Sequence, residues 1–151
     1  MKGVILSAVA ALGAALWLAG TAPALAIEQG TTADGWPYLA GGFGLDEREE
    51  MARARKDYRL RISTAASASG AYVADARIRI ADGSGRVLFD REIPGPILLI
   101  DLAPGRYAVR AILNGETVQR QTQISAGDRR EMVFYFKVPA GVLRAEEVLR
   151  R

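Results

Sequence analysis

Apolar and polar residues alternate with a period of two through most of this chain, and this pattern constrains the fold more than any other feature. From Asp57 onward, Tyr58, Leu60 and Ile62 alternate with polar residues, as in a strand that buries one face. Further strand-like segments follow, separated by turn-forming residues. The segments span residues 57–63, 72–81, 87–89, 97–102, 106–113, 116–125 and 132–138. Their number and spacing predict an all-β fold, a seven-stranded antiparallel β-sandwich.

Two local signals refine this prediction. Residues 97–102 (ILLIDL) are nearly all apolar, which is typical of a strand in the middle of a sheet. Asn114-Gly115 separates two alternating segments, and both residues tolerate the positive φ that a type I′ turn requires. We therefore expect a tight hairpin at this position.

The segments on either side of the predicted sandwich lack its alternation. Residues 27–44 are rich in glycine and predict an irregular arm. Residues 45–56 predict a short helix, with Asp46 as N-cap and Glu49 completing a capping box. The tail, residues 139–151, includes an amphipathic stretch from residue 142 that is compatible with a terminal helix.

The first 26 residues have the pattern of a signal peptide. Lys2 precedes an apolar run, and Ala24-Leu25-Ala26 matches the small-x-small motif that signal peptidase cleaves. We expect cleavage after Ala26 and a periplasmic or secreted mature protein without a membrane span. An uncleaved anchor is the alternative, although Pro23 favours an end to the helix before the cleavage motif.

Composition excludes several classes of function. The chain contains no histidine and no cysteine, which removes most transition-metal sites and the Ser-His-Asp and Cys-His catalytic arrangements. The formal net charge of +3 is too small to favour a nucleic-acid partner. The acidic residues near the predicted helix are explained by capping and by the helix dipole. We therefore expect no enzyme activity, and no catalytic, cofactor-binding or metal-binding residues.

Residues 101–115 (DLAPGRYAVRAILNG) contain a recognisable turn motif. Pro104 sets the turn, Gly105 supplies a flexible backbone, and Tyr107 and Val109 alternate toward a core. The motif resembles that of the carboxypeptidase regulatory-like domains, which belong to the transthyretin-like, or prealbumin-like, β-sandwiches. Residues 71–89 also resemble the opening hairpin of that family, and residues 35–48 are similar to an arm in small exported proteobacterial proteins of this type.

The resemblance implies a noncatalytic domain that assists folding, binding or positioning. Transthyretin-like hydrolases use histidines in their sites, and this chain has none, so no catalytic role transfers to it. The resulting division of the chain is a signal peptide (1–26), an arm and short helix (27–56), the sandwich domain (57–138) and the tail (139–151).

The candidate binding residues are aromatic and arginine side chains. Trp36 and Tyr38 are able to stack on sugars or anchor a protein contact, or instead to pin the arm onto the sandwich. Arginines on alternate strand positions are either a solvated face or a patch for anions, and the patch requires that their strands share a sheet. The candidates are Trp36, Tyr38, Arg59, Arg61, Arg77 and Arg79, with Arg106 and Arg110 in the same outward pattern.

The sequence is compatible with more than one class of function. The leading hypothesis is a noncatalytic exported module that binds an envelope protein or a glycan. The alternatives are a structural accessory subunit of an envelope assembly and a carbohydrate-binding module. A hydrolase would require a cleft with paired acids, and no motif indicates one.

Overall fold

The computed structural model describes residues 27–139. The predicted signal peptide and the predicted terminal helix lie outside the described residues. Within the described part, nine strands and one α-helix form the fold. The strands are β1 (Glu28–Thr31), β2 (Pro37–Gly41), β3 (Leu60–Ala66), β4 (Arg77–Asp82), β5 (Val87–Glu92), β6 (Ile97–Ile100), β7 (Gly105–Leu113), β8 (Glu116–Ile124) and β9 (Arg130–Phe136). The helix is α1 (Leu45–Ala54), followed by a 3-10 turn at Arg55–Asp57.

The strands form two sheets in a sandwich-like arrangement. Sheet A has five strands in the order β1-β2-β6-β3-β9, and sheet B has four in the order β5-β4-β7-β8. The predicted all-β fold is therefore confirmed, as is the central position of residues 97–100 within their sheet. The predicted hairpin is also present, since Asn114 and Gly115 have φ values of 49° and 79° between β7 and β8.

The main hydrophobic core is made by the inward residues of both sheets. Sheet A contributes residues such as Leu60, Ile62 and Phe134, and sheet B contributes residues such as Ile78 and Val109. A second, smaller cluster lies on the other face of sheet A under α1, and consists of Met51, Tyr58, Ile97 and Leu99. Part of the outer face of sheet A is therefore covered by α1, whereas the outer face of sheet B is exposed.

The predicted strand number is wrong, because the arm is not irregular. Residues 28–41 form the hairpin β1–β2, which extends sheet A alongside β6. Tyr38 pairs with Ile100 and Ala40 with Leu98 in this register. The short hairpin has little apolar alternation of its own, and its hydrogen bonds to β6 hold it in place.

Two further strand predictions require correction. The second predicted strand begins at Arg77 instead of residue 72, because Asp75 adopts a positive φ of 65° that interrupts an extended chain. The fold is also not purely antiparallel, since β3 and β9 pair in parallel from Leu60–Arg130 to Ala66–Phe136.

The helix is present, but its predicted cap is wrong. Gly44 occupies the N-cap position with no side-chain cap, and α1 begins one residue before Asp46. Glu47, 9% exposed, accepts hydrogen bonds from the backbone N–H groups of Gly42 (3.0 Å) and Phe43 (3.1 Å). A glutamate in the first turn thus satisfies donors that precede the helix. Within residues 27–139, no helix has the length and apolar character needed to cross a membrane.

Candidate functional site

Four of the predicted arginines lie together on the exposed outer face of sheet B. Arg77 and Arg79 come from β4, and Arg106 and Arg110 come from β7, the neighbouring strand. Side chains at alternate positions of a strand point to the same side of the sheet. These arginines therefore point outward, and the residues next to them in β4 and β7 point inward. We call these four residues the arginine face. Their strands share a sheet, as an anion-binding patch made of these arginines requires.

The register of sheet B brings two of these positive charges side by side. Arg79 of β4 is directly opposite Arg110 of β7, and Arg110 is directly opposite Gln119 of β8. The Nε and Nη2 groups of Arg110 donate to Gln119 Oε1 at 3.1 and 2.9 Å. Directly opposed like charges destabilise a sheet. Gln119 offers no charge to offset this repulsion, and Asp90 of β5, which is in register with Arg79, offsets only part of it.

A trough crosses the same face beside the opposed arginines. It consists of two adjoining hollows of ≈ 590 Å³ and ≈ 230 Å³ that share Ala81, Gly85 and Ala108. Ala81 and Ala108 pair directly across β4 and β7, so two small side chains form its floor. Arg79 and Arg110 line the smaller hollow, and the larger one is lined by Arg106 and residues of β8.

Two carboxylates near this face already have partners. Asp90 accepts a hydrogen bond from Arg77 Nε at 2.7 Å, and this bond holds the pKa of Asp90 below its ordinary value. Asp82 accepts from the side chain of Ser84, which lowers its pKa, and from the N–H of Arg86. Asp90 is in register with Arg79 and screens part of its charge.

The remaining three cations of the arginine face are left without a salt-bridge partner. Among residues 27–139, Arg79, Arg106 and Arg110 form no ion pair with a carboxylate. Asp82 lines the trough, but it carries only one negative charge against these three cations. The face therefore offers guanidinium donors around the trough, while Asp90 and Glu92 lie in register with Arg79 and Arg77 on β5.

The two predicted aromatic residues differ in burial, since Tyr38 is buried and Trp36 is partly exposed. Tyr38 is only 3% exposed, packs edge-on against Phe89 at 5.1 Å, and donates to Glu28 Oε1 at 2.9 Å. Burial raises the pKa of the Tyr38 phenol. Trp36 is partly buried against the main core. Both residues hold the β1–β2 hairpin against the core, and the buried ring of Tyr38 presents no free stacking surface.

The other two predicted arginines belong to sheet A. Arg59 forms an ion pair with Asp101 at 3.3 Å and donates to Leu102 O at 3.1 Å, which ties the start of β3 to the chain after β6. Arg61 lies on the face covered by α1 and contacts Glu131 at 3.4 Å. Neither residue is part of the arginine face.

A row of glutamines on β8 was not among the binding residues predicted from the sequence. Gln119, Gln121 and Gln123 occupy alternate exposed positions beside the arginine face, opposite Arg110, Ala108 and Arg106. Their period-two spacing was visible in the sequence, but only the pairing of β8 with β7 places them next to the arginines. Amide side chains supply both hydrogen-bond donors and acceptors.

The chemistry available on this face is binding through hydrogen bonds and positive charge. Guanidinium groups bind carboxylates and phosphates through paired, charge-assisted hydrogen bonds. Within the described residues, no group of three or more histidine, cysteine, aspartate or glutamate side chains is arranged to hold a metal ion.

Comparisons of this chain with models of protein families, with curated proteins and with solved structures gave no match in any of the three.

Proposed function

We propose that this protein is a noncatalytic exported binding module, and that its arginine face binds an acidic polysaccharide of the cell envelope. The observation that carries the proposal is the opposition of Arg79 and Arg110 beside an alanine-floored trough. An arrangement that costs folding stability is explained if an anionic ligand neutralises it.

The shape of the face supports an extended ligand. The trough runs over both small residues, Ala81 and Ala108, with Arg79 and Arg110 toward one end and Arg106 toward the other. A linear polymer with carboxylates along its length is able to contact both ends at once. The glutamine row is placed to bond the hydroxyl groups of successive sugars.

Charge, and not aromatic stacking, would supply the affinity. The outward residues of β4, β7 and β8 in this sheet include no aromatic side chain, and Tyr107, which lines the larger hollow, is mostly buried. Neutral glycans are commonly held by stacking on exposed rings. The described face therefore favours an acidic polysaccharide over a neutral one.

Export and family membership are part of the same proposal. The signal-peptide pattern of residues 1–26 would deliver the protein to the compartment that contains envelope polysaccharides. The Pro104-Gly105-x-Tyr107 turn supports a place among the carboxypeptidase regulatory-like domains, since Tyr107 and Val109 are buried as that resemblance implies.

The test is a binding titration of the full chain with polygalacturonate, a uniformly carboxylated polymer, against dextran of similar length as the neutral polymer. Isothermal titration calorimetry should detect binding to polygalacturonate and no binding to dextran. The double variant Arg79→Gln/Arg110→Gln should bind at least about tenfold more weakly, since charge-assisted hydrogen bonds contribute about 1.5–3 kcal/mol each. Arg53→Gln is the matched control, because Arg53 is an exposed arginine of α1, away from sheet B.

Three results would contradict the proposal. Equal binding of dextran would exclude recognition by charge. An equal loss of affinity in Arg53→Gln would show a nonspecific effect of net charge. Binding to vesicles that contain an anionic lipid, without binding to polygalacturonate, would replace the polysaccharide with a membrane surface.

A further inference from the structure

A second concave site lies on the opposite side of the sandwich, between α1 and the outer face of sheet A. Its volume is ≈ 180 Å³. Its lining residues are Arg48, Met51, Ala52, Arg55, Arg61, Tyr72, Ile97 and Leu99. We call this site the helix cleft. It shares no residue with the arginine face.

The helix cleft combines an apolar lining with three guanidinium groups. Met51, Ile97 and Leu99 are buried and belong to the small core cluster under α1. Arg48 and Arg55 approach from α1 and the 3-10 turn, and Arg61 approaches from β3. This pairing of apolar and cationic groups matches a ligand with an apolar body and one anionic group.

The positive charges in the helix cleft exceed the negative ones. Glu131 is the carboxylate in contact with Arg61, with Oε1 3.4 Å from Nη1. Arg55 donates to two backbone carbonyls, Tyr58 O and Arg130 O, which carry no formal charge. Burial lowers the pKa of Arg55, the carboxylate of Glu131 opposes this lowering, and the charge of Arg61 adds to it. An incoming anion would relieve the repulsion between these guanidinium groups.

Two buried polar atoms next to the helix cleft have no hydrogen-bond partner within the described part of the chain. They are Nε of Arg61 and Oγ of Ser63, on the same side of β3. Arg61 pairs in register with Leu99 and Ser63 with Ile97, and both of these partners line the cleft. Ser63 is 2% exposed. Buried donors without partners are costly, and Arg61, which lines the helix cleft, places one such donor at its wall.

We infer that the helix cleft binds a small organic carboxylate whose body is a compact apolar group. The carboxylate would accept hydrogen bonds from the Nε–H of Arg61 and from the guanidinium group of Arg55. Tyr72, whose hydroxyl accepts from Arg61 Nη2 at 3.1 Å, positions the Arg61 guanidinium group. The apolar body would lie against Met51, Ile97 and Leu99, and a cleft of ≈ 180 Å³ suits a compact group.

The experiment follows backbone amide signals of the full chain by two-dimensional NMR during titration with benzoate. Benzyl alcohol serves as the neutral counterpart, and inorganic phosphate as the anion without an apolar body. We expect saturable shifts of residues around the helix cleft with benzoate, and binding of the other two compounds that is at least about tenfold weaker.

Variants test whether benzoate binding depends on the residues of the helix cleft. Arg55→Gln and Tyr72→Phe should each weaken benzoate binding about fivefold to tenfold. Arg55→Gln removes a charge-assisted hydrogen bond to the carboxylate, and Tyr72→Phe removes the hydroxyl that positions Arg61. Arg53→Gln is the control, because Arg53 is on the same helix but does not line the cleft. The NMR spectrum of each variant without benzoate reports whether it has folded.

The inference is overturned by any of three outcomes. They are an unchanged spectrum up to the solubility limit of benzoate, phosphate binding as strong as benzoate binding, and unchanged benzoate affinity in folded Arg55→Gln. Because the arginine face is on the other sheet, polygalacturonate binding should be the same in Arg55→Gln as in the unmodified protein. Failure of one proposal is thus distinguishable from failure of the other.

Discussion

Arg79 and Arg110 oppose each other directly across β4 and β7 on the exposed face of sheet B, and neither forms an ion pair within residues 27–139. Two neighbouring cations on a sheet surface repel each other, and the only carboxylate in register with Arg79, that of Asp90, is hydrogen-bonded to Arg77. This relationship gives a stability prediction that is separate from binding.

Arg79→Thr should stabilise the protein while weakening its binding to polygalacturonate. Removing one of two directly opposed like charges should raise the free energy of unfolding by about 0.2–1 kcal/mol, and threonine is well suited to a strand. The gain should shrink at high salt, because salt screens exposed charges. Chemical denaturation at low and high ionic strength measures both effects.

Arg77→Thr is the control and should not stabilise the protein, since Arg77 has the ion pair with Asp90. Destabilisation by Arg79→Thr at low salt would contradict the prediction.

Glu47→Ala should destabilise the junction between β2 and α1. The mutation leaves the backbone N–H groups of Gly42 and Phe43 without their carboxylate acceptor, and Gly42 is buried. Loss of such charge-assisted bonds costs about 1–3 kcal/mol in the free energy of unfolding. Thermal and chemical unfolding measure this loss.

Glu49→Ala provides the comparison, because Glu49 is an exposed residue of α1 with a 3.6 Å ion pair to Arg53. Its effect should stay below about 0.5 kcal/mol, as for other exposed helical pairs. Equal effects of the two substitutions would show that helix propensity, and not the carboxylate of Glu47, determines the stability of this junction.

Alkaline pH should destabilise the fold through its buried tyrosines. Burial raises the phenol pKa of Tyr38, Tyr58 and Tyr107 above the ordinary value of 10.0. In the unfolded chain these phenols lose their protons near pH 10, whereas the folded protein retains them to higher pH. Their contribution to stability is therefore fully present below pH 10 and decreases as the pH rises above it.

Tyr107→Phe tests this pH dependence at one residue. The Tyr107 hydroxyl donates to Ala103 O at 2.5 Å, so its loss should cost about 1 kcal/mol near neutral pH. The variant should also lose less stability between pH 9 and pH 11 than the unmodified protein, since one of the shifted phenols is gone. Urea denaturation across this pH range is the measurement, and parallel curves for the two proteins would contradict the prediction.

Local sequence patterns predicted much of sheet B. Arg77, Arg79, Arg106 and Arg110 alternate with apolar residues, and Asn114-Gly115 closes the β7–β8 hairpin. Hairpins and alternation depend on neighbours along the chain, so they are readable in the sequence. The helix was also predicted, although its first-turn contacts were assigned to Asp46 and Glu49 instead of Glu47.

The candidate sites were less predictable because they depend on partners that are distant in sequence. Tyr38 appeared available for stacking until the pairing of β2 with β6 placed it in the core. Arg61 belonged to the same outward pattern as Arg79, but α1 covers its face of sheet A. Spacing along one strand defines a side of that strand and does not reveal what packs against it.

The sequence by itself determined the all-β character, the outward arginines of β4 and β7, and the tight turns, because these properties come from residues close together in the chain. Only the tertiary structure decided that the arm becomes two strands of sheet A, that β3 and β9 run parallel, and that Arg79 opposes Arg110. These features depend on which distant strands bury their apolar faces together and share backbone hydrogen bonds. The packing of the whole core therefore determines which strands pair.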